Sequence, residues 1–421
     1  MKIKIENANK IAVSIFLCYS FTVGLHKYYL GNGNLDFVIL TLAVFFTIIG
    51  LAIRRNLNVH KQLCLLLFAI TLVFVFYNNQ NIEKYGIFRA KYELVYVLIV
   101  LLFIVLCQTH EWGNQFVEVS SLATKIHCFA TIILYFLPSF YAGAIAPLFG
   151  SMQRSLMNQY NLGCMPGITP HYSTNAMYLA IGAGVALANY ICLQNKKNKN
   201  LICLVLMLIA LLLTGKRAHI LFGAIIFVII FYITSPKKPG RLFKTICFAL
   251  AGIFVFYIAI QFIPALGVVV SRFSDGMEGS DITNGRAMQV ALAMEYFNKN
   301  KLLGIGWDGF LHSYVNPSGV ALNVHCVYAQ LLCETGVIGF TTFVLFFIYE
   351  IVKAIRLLSY YADRQENNEE YRNVYVAVFV ELFFLLYCVT GNPLYDIQLF
   401  FPYMFSCAIV EAYMLKEKRY E

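Results

Sequence analysis

The sequence predicts an all-α, polytopic membrane protein of about twelve transmembrane helices, and three observations carry that expectation. The 421 residues are 60% hydrophobic and only 13% charged, with a mean hydropathy of +0.68; an ordinary soluble domain carries about 25% charged residues. Apolar runs of roughly 15–20 residues recur along the whole length, close to the ~20 that a helix needs to cross a bilayer. These runs are continuous, whereas the strands of a membrane barrel alternate with a period of two. Lysine and arginine also alternate in density between successive loops, because cytoplasmic loops retain positive charge. The chain 1–421 therefore reads as a single integral membrane domain, with no soluble part large enough to hold its own core.

In order, the expected spans are 11–25, 35–53, 62–77, 93–108, 125–141, 173–193, 200–214, 218–234, 245–263, 326–349, 373–390 and 400–415. The first follows Lys2, Lys4 and Lys10 and lacks a small-residue cleavage site, so it reads as a retained helix. With the N-terminus inside, 21 of the 32 lysines and arginines fall in inner segments and 11 in outer ones. Both termini then lie in the cytoplasm. The inner loop 109–124 departs from the pattern, with no basic residue before Lys125. The net charge of +10 follows from this topology and does not call for nucleic acid. The 12 cysteines are scattered without CxxC pairs, which argues against a disulfide framework or a zinc site.

Between helices nine and ten lies one large extracytoplasmic loop, 264–325, the only long polar passage in the chain. Its outer basic residues run against the general charge bias, and an anionic ligand is one reason to hold them there. Within it, Ala287, Val290, Ala291, Met294 and Phe297 recur at helical spacing, which predicts an amphipathic helix over 285–298. Asn284 is its expected cap, and Arg286 falls in the first turn, where free backbone N–H groups favour an anion. The G-I-G at 304–306 permits a tight turn. His325 opens span ten. Glu334, nine residues on, is about 900° of helical rotation away and so faces away from it. Gly336 and Gly339 are expected to permit close helix packing. Asp275, Glu278 and Asp281 read as a solvated patch, with metal binding as the alternative; their spacing matches no ligand pattern.

Two other outer turns stand out. In M-P-G-I-T-P-H-Y-S-T-N-A-M at 165–177, Ser173 or Thr174 is the expected cap of the sixth helix, and His171 is a candidate cavity-lining group. T-G-K-R-A-H at 214–219 joins two short spans, so the turn sits recessed. A charge at bilayer depth costs roughly 2.5–3.5 kcal/mol on insertion scales and tends to face protein or a wet cavity. Arg217 is thus a candidate anion ligand, and Lys216 either joins it or snorkels to lipid headgroups.

T-G-K-R at 214–217, G-R-A at 285–287, G-I-G-W-D-G-F at 304–310 and V-H-C…E-T-G-V-I-G at 324–339 resemble, in order and spacing, the O-antigen ligase / O-antigen polymerase superfamily of integral membrane glycosyltransferases. G-I-T-P-H-Y-S-T-N-A at 167–176 is similar to that family's turn before its sixth helix. The likeness covers about residues 160–345 by motif and the whole chain by topology. Lys216 departs from it, where a small residue is more usual, and so does Cys326, where the family often has Asn.

The resemblance implies a GT-C-type fold and an inverting transfer from an undecaprenyl-pyrophosphate-linked glycan donor at the outer face of the cytoplasmic (inner) membrane, with no cofactor. Arg217 and Arg286 would hold the pyrophosphate, and His325 would act on the acceptor hydroxyl. Arg272 is a further outer arginine with no matched motif. The residue chemistry points the same way. Arginine offers a permanently charged, bidentate fork to phosphate oxygens, so fixed cations can replace a metal. Histidine, with an ordinary pKa near 6.5, suits a base; His171, His219 and His312 are rivals to His325. The favoured expectation is a polysaccharide polymerase that extends a lipid-linked repeat for O-antigen, capsule or exopolysaccharide, with a chain-length regulator as a further candidate partner. One alternative is a ligase that uses lipid A-core. Another is a transporter or flippase, for which an internal repeat is expected and none is visible.

Overall fold

The computed structural model describes residues 5–29, 102–193, 197–262, 285–314, 322–364 and 369–417, with isolated positions between 38 and 49. The spans expected at 35–53, 62–77 and most of 93–108 lie outside these residues. So do Arg272, Asp275, Glu278, Asp281 and Asn284.

Among the described residues the structure is helical, with no strand. The principal helices are α1 (Ile5–Tyr29), α2 (Gly113–Phe136), α3 (Gln153–Asn161), α4 (Tyr172–Cys192), α5 (Lys197–Leu213), α6 (Arg217–Thr234), α7 (Arg241–Phe262), α8 (Arg286–Lys299), α9 (Gly309–Ser313), α10 (Val327–Arg364), α11 (Glu369–Tyr387) and α12 (Ile397–Glu417). Among the described residues, five stretches are long and apolar enough to cross a membrane: α2, α4, α6, α10 and residues Gln398–Glu417 of α12. The inner loop expected at 109–124 is shorter than its sequence suggests, because α2 already begins at Gly113.

The core is built around α11. Every residue from Tyr371 to Phe384 is buried, Arg372, Asn373 and Glu381 included, so this helix is covered on all its faces. Packed against it are α4, α10 and α12, with Phe384 stacked on Tyr403 of α12 at 3.9 Å. On the periphery, α7 leaves Leu242, Phe243, Ile253, Phe254 and Tyr257 exposed; apolar side chains exposed on this scale mark a lipid-facing surface.

The two ends of the bundle differ. At one end, the starts of α4, α6 and α10 meet the end of α11 and the start of α12. The other end carries ion pairs between Lys353 and Glu411, Lys416 and Glu370, and Lys237 and Asp363. Arg372 there donates to Asn114 and Asn373. These basic residues are those assigned to inner loops from the charge pattern.

Helix α10 is broken at Gly336, whose φ of 62° and ψ of −169° are non-helical. The segment 301–306 docks across the break. Ile305 and Gly306 N–H groups donate to Cys333 and Glu334 carbonyls at 3.0 and 2.9 Å, and Val337 N–H donates to Lys301 O at 2.9 Å. A Cβ on Gly336 would lie 2.3 Å from the Leu302 carbonyl carbon and oxygen. The glycine expected to serve helix packing instead lets a loop strand pair with an opened helix.

Candidate functional site

A cavity of about 450 Å³ opens at the end of the bundle where these helix termini converge. Its lining includes His171 and Ser173 from the start of α4, Lys216, Arg286, Asn323 and His325, and Tyr387, Thr390, Asn392, Tyr395 and Asp396 from the α11–α12 connection. Ligand pockets commonly fall in the range of roughly 300–1,000 Å³.

Each cationic group is placed by a local device. The 214–217 turn closes through Thr214, whose hydroxyl donates to Leu211 O at 2.6 Å and accepts from Lys216 N–H at 3.3 Å. The Lys216 ammonium lies 5.5 Å from the Tyr172 ring centroid. Arg217, the next residue and the first of α6, is half-buried and stands outside the cavity's lining. Arg286 opens α8 behind its N-cap Gly285, whose φ of 80° is left-handed and suits glycine. The buried face of that helix is Gln289 and Ala293, while Ala287 and Ala291 of the expected apolar stripe are exposed. Helix α8 packs on α10 through a small separate core that includes Ala293, Phe310 and Cys333, with Val290 and Met294 of the expected stripe packed against it, so it is rotated only part-way from the face its composition suggests.

His171 caps α4, the role expected of Ser173 or Thr174. Its Nδ1 accepts from Ser173 N–H at 3.1 Å, which leaves Nε2 as the protonated nitrogen of the neutral ring. Burial, then the charges of Lys216 and His325, lowers its pKa to about 4. A ring held in this tautomer offers the cavity a donor rather than a base. His219 is fully buried in α6, against the Phe383 and Tyr387 rings. His312 sits on α9, outside the cavity's lining. Of the four candidate bases, only His171 and His325 line the cavity.

His325 is not yet helical. Its φ of 54° is left-handed, a conformation rare for residues other than glycine and costing of order 1–3 kcal/mol when imposed. The flanking chain is pinned on both sides. Val327 N–H donates to Cys388 O at 2.8 Å, and Gln330 accepts from Val324 N–H at 3.3 Å while donating to Asn323 at 3.0 Å. Burial lowers the His325 pKa to about 4, with Arg286 and then Lys216 adding to the effect. The imidazole is therefore neutral near pH 7 and has a lone pair available.

Sequence reasoning assigned no role to Glu334. Its side chain accepts from Asp308 N–H (3.0 Å), Phe310 N–H (3.2 Å), Gln330 Nε2 (3.0 Å) and Tyr395 Oη (2.7 Å). It thus joins the G-I-G-W-D-G-F segment, α10 and the α11–α12 connection. The nine-residue rotation assumed a helical His325, whereas the helix starts only at Val327, and it is the long-range partners that reveal what Glu334 does. Among the described residues, no group of three His, Cys, Asp or Glu is placed to hold a metal.

The fold and site define a class: a multi-pass helical membrane protein with a basic, histidine-bearing cavity at one end of its bundle. Within that class, residues 202–344, about a third of the chain, match the O-antigen ligase family model. The match supports the O-antigen ligase/polymerase superfamily, and with it a glycosyltransferase-type activity. It spans the 214–217, 285–287, 304–310 and 324–339 motifs but not 167–176. No curated protein matches the chain.

Proposed function

We propose that the protein is a polysaccharide polymerase. It takes a glycan from an undecaprenyl-pyrophosphate carrier and adds it to a lipid-linked repeat at the outer face of the cytoplasmic membrane. The observation that carries this reading is the gathering of Arg286, Lys216 and a neutral His325 in one cavity. In the reaction, an acceptor hydroxyl attacks the anomeric carbon and the bond to the pyrophosphate oxygen breaks. The proton passes to His325, and the leaving diphosphate keeps the electron pair. Fixed cations that await the developing charge stabilise such a transition state without reorganisation. Arg217 is the further phosphate contact that the resemblance implies, and Arg272, which no matched motif contains, is a third outer arginine proposed beside it. Attack from the face opposite the leaving group inverts the anomeric centre.

Removing a general base typically costs about 10²–10⁴-fold in rate, whereas removing a phosphate ligand weakens binding. His325→Ala is therefore expected to abolish polymer, to accumulate single lipid-linked repeats and to retain donor binding. Arg286→Ala is expected to lose donor binding. Near-normal transfer by His325→Ala sinks the assignment of the base; loss of donor binding equal to that of Arg286→Ala makes His325 a positioning residue. Because the charge is met by arginine and lysine, transfer by the purified protein is expected to survive EDTA. Activity lost in EDTA and restored by Mg²⁺ would shift the phosphate role to Asp275, Glu278 and Asp281. The description of the matched family favours a second reading, transfer to lipid A-core. Offering both acceptors in the same assay separates ligase from polymerase.

A further inference from the structure

We infer that the connection between α11 and α12 is the acceptor-sugar subsite of this cavity, engaging sugar hydroxyls through Asn392 and Thr390. The inference rests on the glycosyl-transfer reading above and assigns a part of the cavity which that reading leaves unused.

The connection is ordered by its own backbone. Thr390 N–H donates to Tyr387 O at 3.0 Å, Tyr395 N–H to Asn392 O at 3.0 Å, and the Leu399 and Phe400 amides of α12 to Asp396 O at 3.0 Å. With the backbone so occupied, two side-chain oxygens remain. Asn392 Oδ1 and Thr390 Oγ1 are both buried without a hydrogen-bond partner among the described residues. Both residues line the cavity, and Asn392 is only 9% exposed. Buried polar oxygens are nearly always satisfied, so an orphaned pair on two residues that line the cavity points to a ligand that supplies the missing donors.

The chemistry of that ligand follows from the groups. An amide oxygen accepts a hydrogen bond, and a threonine hydroxyl both donates and accepts. Asp396 lines the same wall and adds carboxylate acceptors. This set suits neutral, hydroxyl-rich groups and repels phosphate, whereas Lys216 and Arg286 come from other elements and suit phosphate. The cavity is thus divided chemically into a cationic part and a hydroxyl-binding part.

Two features make the second part the acceptor's. The wall is rigid: Tyr395 donates to Glu334 and stacks on Trp307 at 4.5 Å, and a Cβ on Gly391 would meet the Tyr387 ring at 2.1 Å. It is also tied to the base, through Val327 N–H to Cys388 O at 2.8 Å and Tyr328 Oη to Leu385 O at 3.2 Å. A sugar held here keeps station relative to His325, which must meet the attacking hydroxyl. The donor sugar is instead carried on the pyrophosphate.

The test uses the full-length protein in detergent with two probes. One is the carrier-linked repeat that accumulates in cells lacking this protein; the other is the glycan released from it by mild acid, which has no pyrophosphate. Thr390→Val and Asn392→Ala are expected to raise the KM for acceptor at least about tenfold, since a site built to bond hydroxyls discriminates strongly against a lost bond. Donor affinity is expected to stay within about twofold, and the released glycan to bind the wild type and Arg286→Ala alike but not Asn392→Ala. Released glycan that binds Asn392→Ala as tightly as the wild type overturns the subsite, as does an unchanged acceptor KM. No transfer by the wild type from the carrier-linked donor overturns the glycosyl-transfer reading instead; the glycan-binding comparison still judges the subsite.

Discussion

His325 shows how one residue is prepared by its surroundings. The backbone hydrogen bonds on either side hold it in a left-handed conformation. Burial, Arg286 and Lys216 then lower its pKa from 6.5 to about 4. A base works in its deprotonated form, so activity falls as pH drops through the pKa of the relevant state. For kcat/KM that state is the free enzyme, and the acid limb is expected near pH 4. Binding an anionic pyrophosphate cancels part of the Arg286 and Lys216 contribution but leaves the burial. The acid limb of kcat is therefore expected at a higher pH than that of kcat/KM. Arg286→Ala is expected to raise the kcat/KM limb as well. Parallel pH profiles of the two parameters check this: coincident limbs would mean that His325 does not feel these charges, and limbs near 6.5 that it feels neither the charges nor the burial, or is not the base.

Among the elements, the broken helix α10 matters most to the site. Its opening at Gly336 admits 301–306, and Glu334 just before the break collects four donors from three directions. Glu334→Gln keeps the shape but turns one acceptor oxygen into a donor, leaving at least two of those donors opposed. Each orphaned buried group costs about 1–3 kcal/mol, so a clear drop in thermal midpoint is expected, with transfer lost as the 304–310 segment detaches. Gly336→Ala is expected to be worse: an L-residue rarely adopts its φ, and its Cβ would strike the Leu302 carbonyl. Gly143→Ala, with nothing within 4 Å of the added Cβ, is the control expected to behave like the wild type. Thermal unfolding and expression level of the three variants check the ordering, and a stable Gly336→Ala protein would reject the break as a structural requirement.

The same elements show what a sequence carries and what it hides. Apolar runs and charge alternation depend on local composition, so the long helices from 113 onward were legible to within a few residues, except that α2 starts early and α10 runs on to Arg364, while the short helices α3 and α9 were not foreseen. Arg286 and His325 were legible because they sit in compact motifs. Glu334, Asn392 and Thr390 were not. Their significance lies in partners, or unsatisfied oxygens, brought together from distant segments. The rotation of α8 was hidden for a related reason: alanines do not reveal which face a neighbouring helix covers.

At the scale of the whole molecule, the two ends of the bundle make the charge-derived topology testable. The cavity lies where the starts of α4, α6 and α10 meet the α11–α12 connection. Lys237, Lys353, Arg364 and Lys416 make their ion pairs at the other end. Positive charge is retained on the cytoplasmic side, so the second end is expected inside and the cavity outside, where a lipid-linked glycan would reach it. Asn300 and Asp363 are exposed residues belonging to the cavity end and the ion-pair end respectively. An impermeant thiol reagent applied to intact cells or spheroplasts is expected to label Asn300→Cys above the wild-type background. Asp363→Cys is expected to label only after the membrane is permeabilised. The wild-type control matters because the chain has 12 cysteines of its own, with Cys18 and Cys247 exposed. The reverse pattern would put the cavity in the cytoplasm, and the polymerase and ligase readings would fail together, since both place the transfer at the outer face. Labelling of both positions in intact cells would remove the bilayer from between the two ends and reject the membrane-spanning arrangement itself.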